Sequence, residues 1–136
     1  MPKSLTTAND TLDAFLRAVD PSWRAGATRY IALHTADPAN AGTQTTSEAT
    51  YTGYARVAVT AATGFSAASA GASQNTGLIQ FPQCTGGTNV ITHVSIGTAT
   101  TGAGQIIYRG ALNASLSVAN LIQPQFSIGS LTATEQ

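Results

Sequence analysis

Residues 28–38, Thr-Arg-Tyr-Ile-Ala-Leu-His-Thr-Ala-Asp-Pro, divide the chain into two parts with different hydrophobic periodicity. Before this stretch, apolar residues recur every three or four positions, which is the spacing of an amphipathic α-helix. After it, apolar and polar residues alternate between Gly, Ser, Thr and Asn clusters, which is typical of short β-strands joined by turns. The pattern predicts a mainly β protein with an N-terminal α-helix. Residues 1–27 hold the helix and a connector, residues 28–136 form the β-domain, and the whole is one structural domain.

The predicted helix spans about residues 8–19. Thr7 is a suitable N-cap, and Asp10 and Asp13 follow early, where the helix dipole favours negative charge. The helix must end before Pro21, because proline disfavours helical backbone in the residue that precedes it. Its apolar side either packs on the β-domain or contacts a neighbouring subunit.

Strand-like patterns predict an antiparallel arrangement for the rest of the chain. The strongest is a hairpin over residues 89–112, whose arms are joined by a Gly/Thr/Ala turn. In its first arm, alternation predicts one face with Val90, Thr92, Val94 and Ile96 and another with Ile91, His93 and Ser95. Residues 63–73 are either a weak edge strand or a loop. Further short strands are predicted over residues 29–35, 54–59, 78–81, 116–118 and 124–132. Short strands separated by turns favour a sandwich, a barrel or a jelly roll.

Charged residues are scarce. They make up 9% of the 136 residues, against about 25% in an average soluble domain. The formal net charge is zero, and Arg109 is the only charged residue between Val57 and Thr134. With no basic field, neither nucleic acid nor a membrane surface is an expected partner. A surface this poor in charge indicates either extensive contact with other protein or a neutral, Thr-rich domain that is soluble by polarity alone.

No catalytic residue, cofactor site or metal site is predicted, and we expect that the protein is not an enzyme. From Val57 onward the chain has no carboxylate before Glu135, so a paired acid and base is not expected there. His34, His93 and Asp37 are the candidate metal ligands, but we expect both histidines to be ordinary half-buried strand residues. Cys84, the only cysteine, is expected to be a small buried apolar residue.

Five segments together resemble a family of small virion proteins of tailed double-stranded DNA phages, often labelled tail-fibre proteins: Tyr30–Pro38, Gly53–Val59, Ile91–Gly97, Gly110–Leu112 and Phe126–Thr132. One member, the capsid cement (decoration) protein of a Bordetella phage, is similar in size and layout. The resemblance implies a jelly-roll-like antiparallel β-sandwich that forms a homodimer. It also implies that the protein binds the major capsid protein on the outside of an icosahedral head and stabilises joints between its subunits.

An alternative function remains open, that of a phage tail or tail-fibre component with a glycan-binding role in host attachment. Either function places the protein in the virion, on the capsid exterior in the first case. The N-terminal residues lack the apolar run of a secretory signal peptide, so we expect synthesis in the host bacterial cytoplasm.

Seven residues form the candidate intersubunit interface. The helix contributes its apolar side, the connector contributes the only tryptophan, and three predicted strands contribute arginines, a residue type enriched at interaction hot spots. These residues are Leu12, Phe15, Leu16, Trp23, Arg29, Arg56 and Arg109.

Overall fold

The chain begins with a single α-helix. In the computed structural model, which describes residues 1–136, helix α1 spans Leu5–Arg17. It starts earlier than predicted because Ser4, rather than Thr7, is the N-cap: the Ser4 Oγ accepts a hydrogen bond from the Thr7 amide (3.3 Å). Asp10 and Asp13 therefore lie beyond the first turn, and the prediction that they complement the N-terminal helix dipole was wrong.

Helix α1 also ends slightly earlier than predicted. Ala18 adopts a left-handed conformation with φ 55°, and the amide of Val19 returns to the carbonyl of Asp13 (3.2 Å), which closes the last turn. A short 3-10 helix over Ser22–Ala25 then leads to the first strand.

Eight antiparallel strands follow. The largest sheet has four strands in the order β2-β1-β5-β6, and two further ribbons pair β3 with β8 and β4 with β7. The mainly β, antiparallel fold with one N-terminal helix is confirmed, while the jelly-roll assignment stays a prediction. The strands are β1 (Thr28–His34), β2 (Val57–Thr60), β3 (Ala72–Gln74), β4 (Ile79–Gln80), β5 (Asn89–Gly97), β6 (Ile106–Val118), β7 (Gln125–Phe126) and β8 (Thr132–Thr134).

The hydrophobic core lies on one side of the four-stranded sheet. Strands β1, β5 and β6 supply one wall, and the loops and ribbons supply the other. The fully buried cluster includes Cys84, as predicted, and its aromatic centre is Phe81. Its members are Ile31, Leu33, Ala49, Tyr51, Ile79, Phe81, Cys84, Ile91, Val94, Ile96, Val118 and Leu131.

The β5–β6 hairpin is confirmed, but the two faces predicted for β5 were wrong. Ile91 pairs with Leu116 whereas His93 pairs with Ala111, so a register irregularity lies at Thr92. A bulge of this kind shifts the alternation of side chains. As a result Ile91 lies in the same core cluster as Val94 and Ile96, although the predicted alternation separated them.

Candidate assembly surface

Helix α1 is bound to the β-domain through polar side chains. The hydroxyls of Ser4 and Thr7 both donate to the carbonyl oxygen of Ile106 at the start of β6, each at 2.7 Å. The amide of Leu5 donates to the carbonyl of Asn40 (2.8 Å). Ser4 and Thr7 are buried, and Thr7 is the only buried residue within the helix itself.

A second set of contacts is centred on Asp10. Its Oδ2 accepts hydrogen bonds from Gln105 Nε2 and from the indole Nε1 of Trp23, both at 2.8 Å. The side-chain Nε2 of Gln105 also donates to Thr7 Oγ1 (2.8 Å). Trp23 is therefore half-buried rather than fully buried, and it ties the 3-10 helix to α1. These contacts fix the rotation of the helix about its own axis.

The apolar side of α1 is left in solvent as a consequence. Five large apolar side chains are exposed, and we call them the outer helix face: Leu5, Leu12, Phe15 and Leu16 on α1, and Val19 two residues beyond its end. The exposed fractions reach 56% for Leu12, 82% for Phe15 and 79% for Leu16. A surface helix normally points its apolar stripe at its own core. Exposed apolar clusters of this kind are typical of surfaces that contact another molecule.

No charged residue belongs to the outer helix face. The nearest ion pair on the helix joins Arg17 to Asp13 (3.2 Å), and both side chains point into solvent. The outer helix face is therefore an apolar surface without charged side chains, so a partner that binds it would not have to neutralise a charge.

Arg56, a candidate for the interface, is used inside the chain instead. Its Nε and Nη2 donate to the two oxygens of Glu48 at 2.7 and 2.9 Å, and its side chain is 3% exposed. It also donates to the carbonyls of Ala99 (2.8 Å) and Gly102 (2.7 Å). Arg56 therefore clamps the turn between β5 and β6, and little of its side chain is left for a neighbouring subunit.

Arg109 is committed in a similar way. Its guanidinium contacts the carboxylate of Asp37 and donates to Asn40 Oδ1 (2.6 Å), and the residue is buried. The hydrogen bond that the Ala39 amide donates to Asp37, together with this pairing, holds the pKa of the Asp37 carboxyl below its usual value. Arg29, the third arginine, is half-buried.

The two histidines are cross-strand partners, but His34 is unsuited to metal binding. His34 is fully buried, and its ring nitrogens contact the Thr46 carbonyl (2.9 Å) and the Ser95 hydroxyl (2.8 Å). Burial lowers its pKa. His93 is only half-buried and contacts Thr92 Oγ1 (2.9 Å). No group of three His, Cys, Asp or Glu side chains is placed to hold a metal ion.

An apolar cavity of about 250 Å³ opens between the main sheet and the β3–β8 ribbon. Its lining includes Arg29, Phe65, Ile96, Tyr108 and Glu135. Tyr108 donates its hydroxyl to Glu135, and burial raises the pKa of the Tyr108 phenol, so it stays protonated. The cavity offers no nucleophile paired with a base.

Comparison with known protein families identifies the kind of protein. The family described as Podophage GP4 fiber I protein gp80 matches residues 2–134. The chain belongs to this family. No curated protein matches it. Membership of the gp80 fiber I family makes it a structural protein of a phage virion, and the match includes both helix α1 and the β-domain. No helix has the length and apolar character needed to span a membrane.

Proposed function

We propose that this protein is a structural subunit of a phage fibre, built into the virion through contacts with other protein. The match of nearly the whole chain to a family named for a podophage fibre protein carries the proposal. The outer helix face supports it, because a subunit of an assembly needs apolar surface that its own fold leaves uncovered.

The charge distribution also supports an assembly role. Arg109, the only charged residue between Val57 and Thr134, is buried against Asp37 and Asn40. That part of the chain consequently presents a surface without charged side chains. Depletion of charge is a property of interface cores, so a protein partner is the expected occupant of such a surface. We propose that the subunit works without catalysis, cofactor or nucleic acid, and that one of its partners is a second copy of itself.

A capsid cement protein is the second candidate. The resemblance of the chain in size and layout to the capsid cement protein of a Bordetella phage favours it. In that case the partner would be the major capsid protein on the exterior of the head. A glycan-binding role in host attachment receives less support. Such a site would need exposed aromatic rings that stack on a sugar, but all four tyrosines and the tryptophan are buried or half-buried.

The test is the location and copy number of the chain in purified virions. Gel stoichiometry against the major capsid protein, combined with antibody labelling in electron micrographs, measures both. A fibre subunit should occur in few copies at the tail vertex. Labelling over the whole head, with near-equal stoichiometry to the capsid protein, would replace the fibre proposal with the cement function. Absence from virions would refute both.

A further inference from the structure

We propose that Leu121 of one copy of this chain enters the apolar cavity of a second copy, so that subunits associate head-to-tail. The inference rests on the proposed function, because it names the contact through which identical subunits would form a fibre. The inserted element is the turn over residues 119–122, which we call the apolar knob. The receiving element is the cavity between the main sheet and the β3–β8 ribbon.

The backbone of the apolar knob is strained at Leu121. The amide of Ile122 donates to the carbonyl of Ala119 (3.0 Å), which closes a β-turn. Within this turn Leu121 has φ 72°, a left-handed conformation that glycine and asparagine adopt at lower cost. Either of those residues would make the same turn with less strain. The presence of leucine therefore indicates that its side chain has a role of its own.

That role is not in the core of the same chain. Leu121 is 69% exposed and Ile122 is 40% exposed, and neither packs against the core cluster. The turn also carries no charged residue. A large apolar side chain at the tip of an uncharged turn is suited to binding an apolar site on another protein.

The cavity has the size and the chemistry to receive this side chain. Its volume is about 250 Å³, whereas an apolar cavity of about 150 Å³ is enough to hold benzene. Apolar walls offer water few hydrogen bonds, so the transfer of a leucine side chain from solvent is favourable. Most of the lining is apolar and comes from Phe65, Ala68, Ala72, Ile96, Ile107 and Ala133.

The knob and the cavity belong to different ends of the β5–β6 hairpin. Ile96, which lines the cavity, pairs with Tyr108 close to the hairpin turn. Val118, which directly precedes the knob, pairs with Asn89 at the other end. The two ends are about 20 Å apart along the strands. Because the two contact surfaces differ, each copy can bind one neighbour through its knob and another through its cavity, which extends the assembly into a row.

Arg29 supplies a polar contact at the same cavity. It lines the cavity and is the only one of the six lysine and arginine side chains without a carboxylate partner. Its Nη1 donates to the carbonyls of Gly26 (3.0 Å) and Thr28 (3.2 Å), while Nε and Nη2 make no hydrogen bond within the chain. Asn120, exposed beside Leu121, offers a neutral acceptor. We expect Arg29 to bind the Asn120 side chain of the inserted turn.

The first test measures the mass of the purified full chain by sedimentation equilibrium. For so small a contact we expect a dissociation constant on the order of 100 μM, so the average mass of the wild type should rise past that of a dimer at about 0.5 mM. Leu121→Asn should stay monomeric yet unfold at an equal or higher temperature, because asparagine tolerates the left-handed conformation. Ile128→Asn is the matched control, since Ile128 is 68% exposed, and it should associate like the wild type.

Three outcomes of this measurement overturn the inference. The first is a wild type that is monomeric at that concentration. The second is a mass that stops at the dimer, which indicates a closed pair instead of a row. The third is a Leu121→Asn variant that associates as strongly as the wild type.

Mixing two defective variants tests the head-to-tail geometry. Ala68 lines the cavity and is exposed, so Ala68→Trp should block the cavity without unfolding the protein. This variant keeps its knob, whereas Leu121→Asn keeps its cavity. Each should be monomeric alone, and an equimolar mixture should form a one-to-one dimer that grows no further. A mixture that stays monomeric overturns the proposed contact.

Disulfide trapping tests the contact without blocking it. The native Cys84 is buried, so introduced thiols dominate the reaction. A disulfide requires Cα atoms within about 7 Å. A double variant, Leu121→Cys with Ala68→Cys, should give a ladder of covalent oligomers under mild oxidation. Efficient dimerisation of Leu121→Cys alone would mean that two knobs meet, and it overturns the inference.

Failure of this inference is distinguishable from failure of the proposed function. A chain that is monomeric in solution yet present in the fibres of virions refutes the knob contact and leaves the fibre function standing. A chain that associates through Leu121 but is absent from virions refutes the fibre function and leaves the knob contact standing.

Discussion

Arg56 and Glu48 form a two-point ion pair in which both carboxylate oxygens are engaged, at 2.7 and 2.9 Å. The remaining guanidinium hydrogens point to the carbonyls of Ala99 and Gly102 and to the side chain of Gln44. One side chain thus connects the loop before β2 to the turn of the β5–β6 hairpin. Since its donors are all directed at acceptors within the chain, its role is to hold the fold.

Replacing Arg56 by methionine should destabilise the protein by about 3 kcal/mol, because Glu48 is left partly buried without its counter-ion. Urea unfolding measures the loss. Arg17→Ala, which breaks an exposed helical ion pair with Asp13, is the control and should change the unfolding free energy by no more than about 0.5 kcal/mol. Equal effects of the two substitutions would contradict a structural role for Arg56.

The protein should be destabilised by a methyl group added at Gly104, because the buried side chain of Gln44 already fills the space there. Gln44 is fully buried and bonds the Tyr30 carbonyl and the Ala99 amide, each at 3.0 Å. A Cβ on Gly104 would lie 2.2 Å from Gln44 Oε1. Gly104→Ala should therefore cost about 1–3 kcal/mol of unfolding free energy. Gly77→Ala is the control, since a Cβ there meets nothing within 4 Å. A Gly104→Ala protein as stable as Gly77→Ala would contradict this prediction and show that Gln44 can move away from the added methyl group.

Stability should decline in mildly acidic solution because of His34. Burial lowers its pKa from 6.5, so below that pH the unfolded chain takes up a proton that the folded protein resists. The stability is therefore complete above about pH 6.5 and falls by up to about 1.4 kcal/mol per pH unit below it, until the folded pKa is reached. Urea unfolding at several pH values measures this slope.

His34→Gln removes this titration and should flatten the slope, although it lowers stability at neutral pH. His93→Gln is the control and should retain the dependence that His34 produces. Asp37 and Glu135 affect stability in a lower pH range, because the folded protein lowers their pKa values. The stability that they provide is present above about pH 4 and is lost as the pH falls further. A slope unchanged in His34→Gln would assign the effect to another group.

The polar anchor of α1 should matter more to folding than its exposed apolar residues. Thr7→Val keeps the shape of the side chain but removes a donor to Ile106 O and an acceptor for Gln105. We expect a loss of about 1–2 kcal/mol and faster amide exchange in α1. Leu12→Ala, at an exposed position, should change the unfolding free energy of the monomer by less than about 0.5 kcal/mol. The opposite ranking would mean that α1 is held by apolar packing.

Sequence patterns predicted those elements in which the alternation of apolar and polar residues matches the alternation of buried and exposed side chains. Strand β1 was predicted as residues 29–35 and is found at Thr28–His34. The β5–β6 hairpin was predicted over residues 89–112, but residues 116–118, predicted as a separate strand, form the end of β6. The pattern failed at Thr92 because a bulge depends on how β6 pairs with β5, and local alternation carries no information on that pairing.

The candidate intersubunit interface was only partly predictable, because local sequence carries no information on contacts between distant residues. The apolar spacing of Leu12, Phe15 and Leu16 is local, and those residues are exposed. Arg56 and Arg109 belong to a residue type common at interfaces, but the sequence near them does not reveal that Glu48 and Asp37 fold against them.

The polar contact between α1 and the β-domain has a signature in the sequence. Hydroxyl and small residues recur at helical spacing on one side of the helix, at Ser4, Thr7, Thr11 and Ala14. Side chains this short let a helix approach a sheet closely. The signal is ambiguous in sequence because its acceptor, the carbonyl of Ile106, is far along the chain.

Phe15 should contribute to assembly and not to folding. Its ring is 82% exposed, so Phe15→Ala should leave the unfolding free energy of the monomer unchanged within about 0.5 kcal/mol. Phe81→Ala, at a fully buried ring, should cost about 3–5 kcal/mol and is the reference for a folding effect. If the outer helix face binds a partner in the virion, phage grown with Phe15→Ala should incorporate less of the chain at equal expression, as measured by quantitative blotting of purified particles. Normal incorporation of a folded Phe15→Ala protein would show that Phe15 is dispensable for assembly.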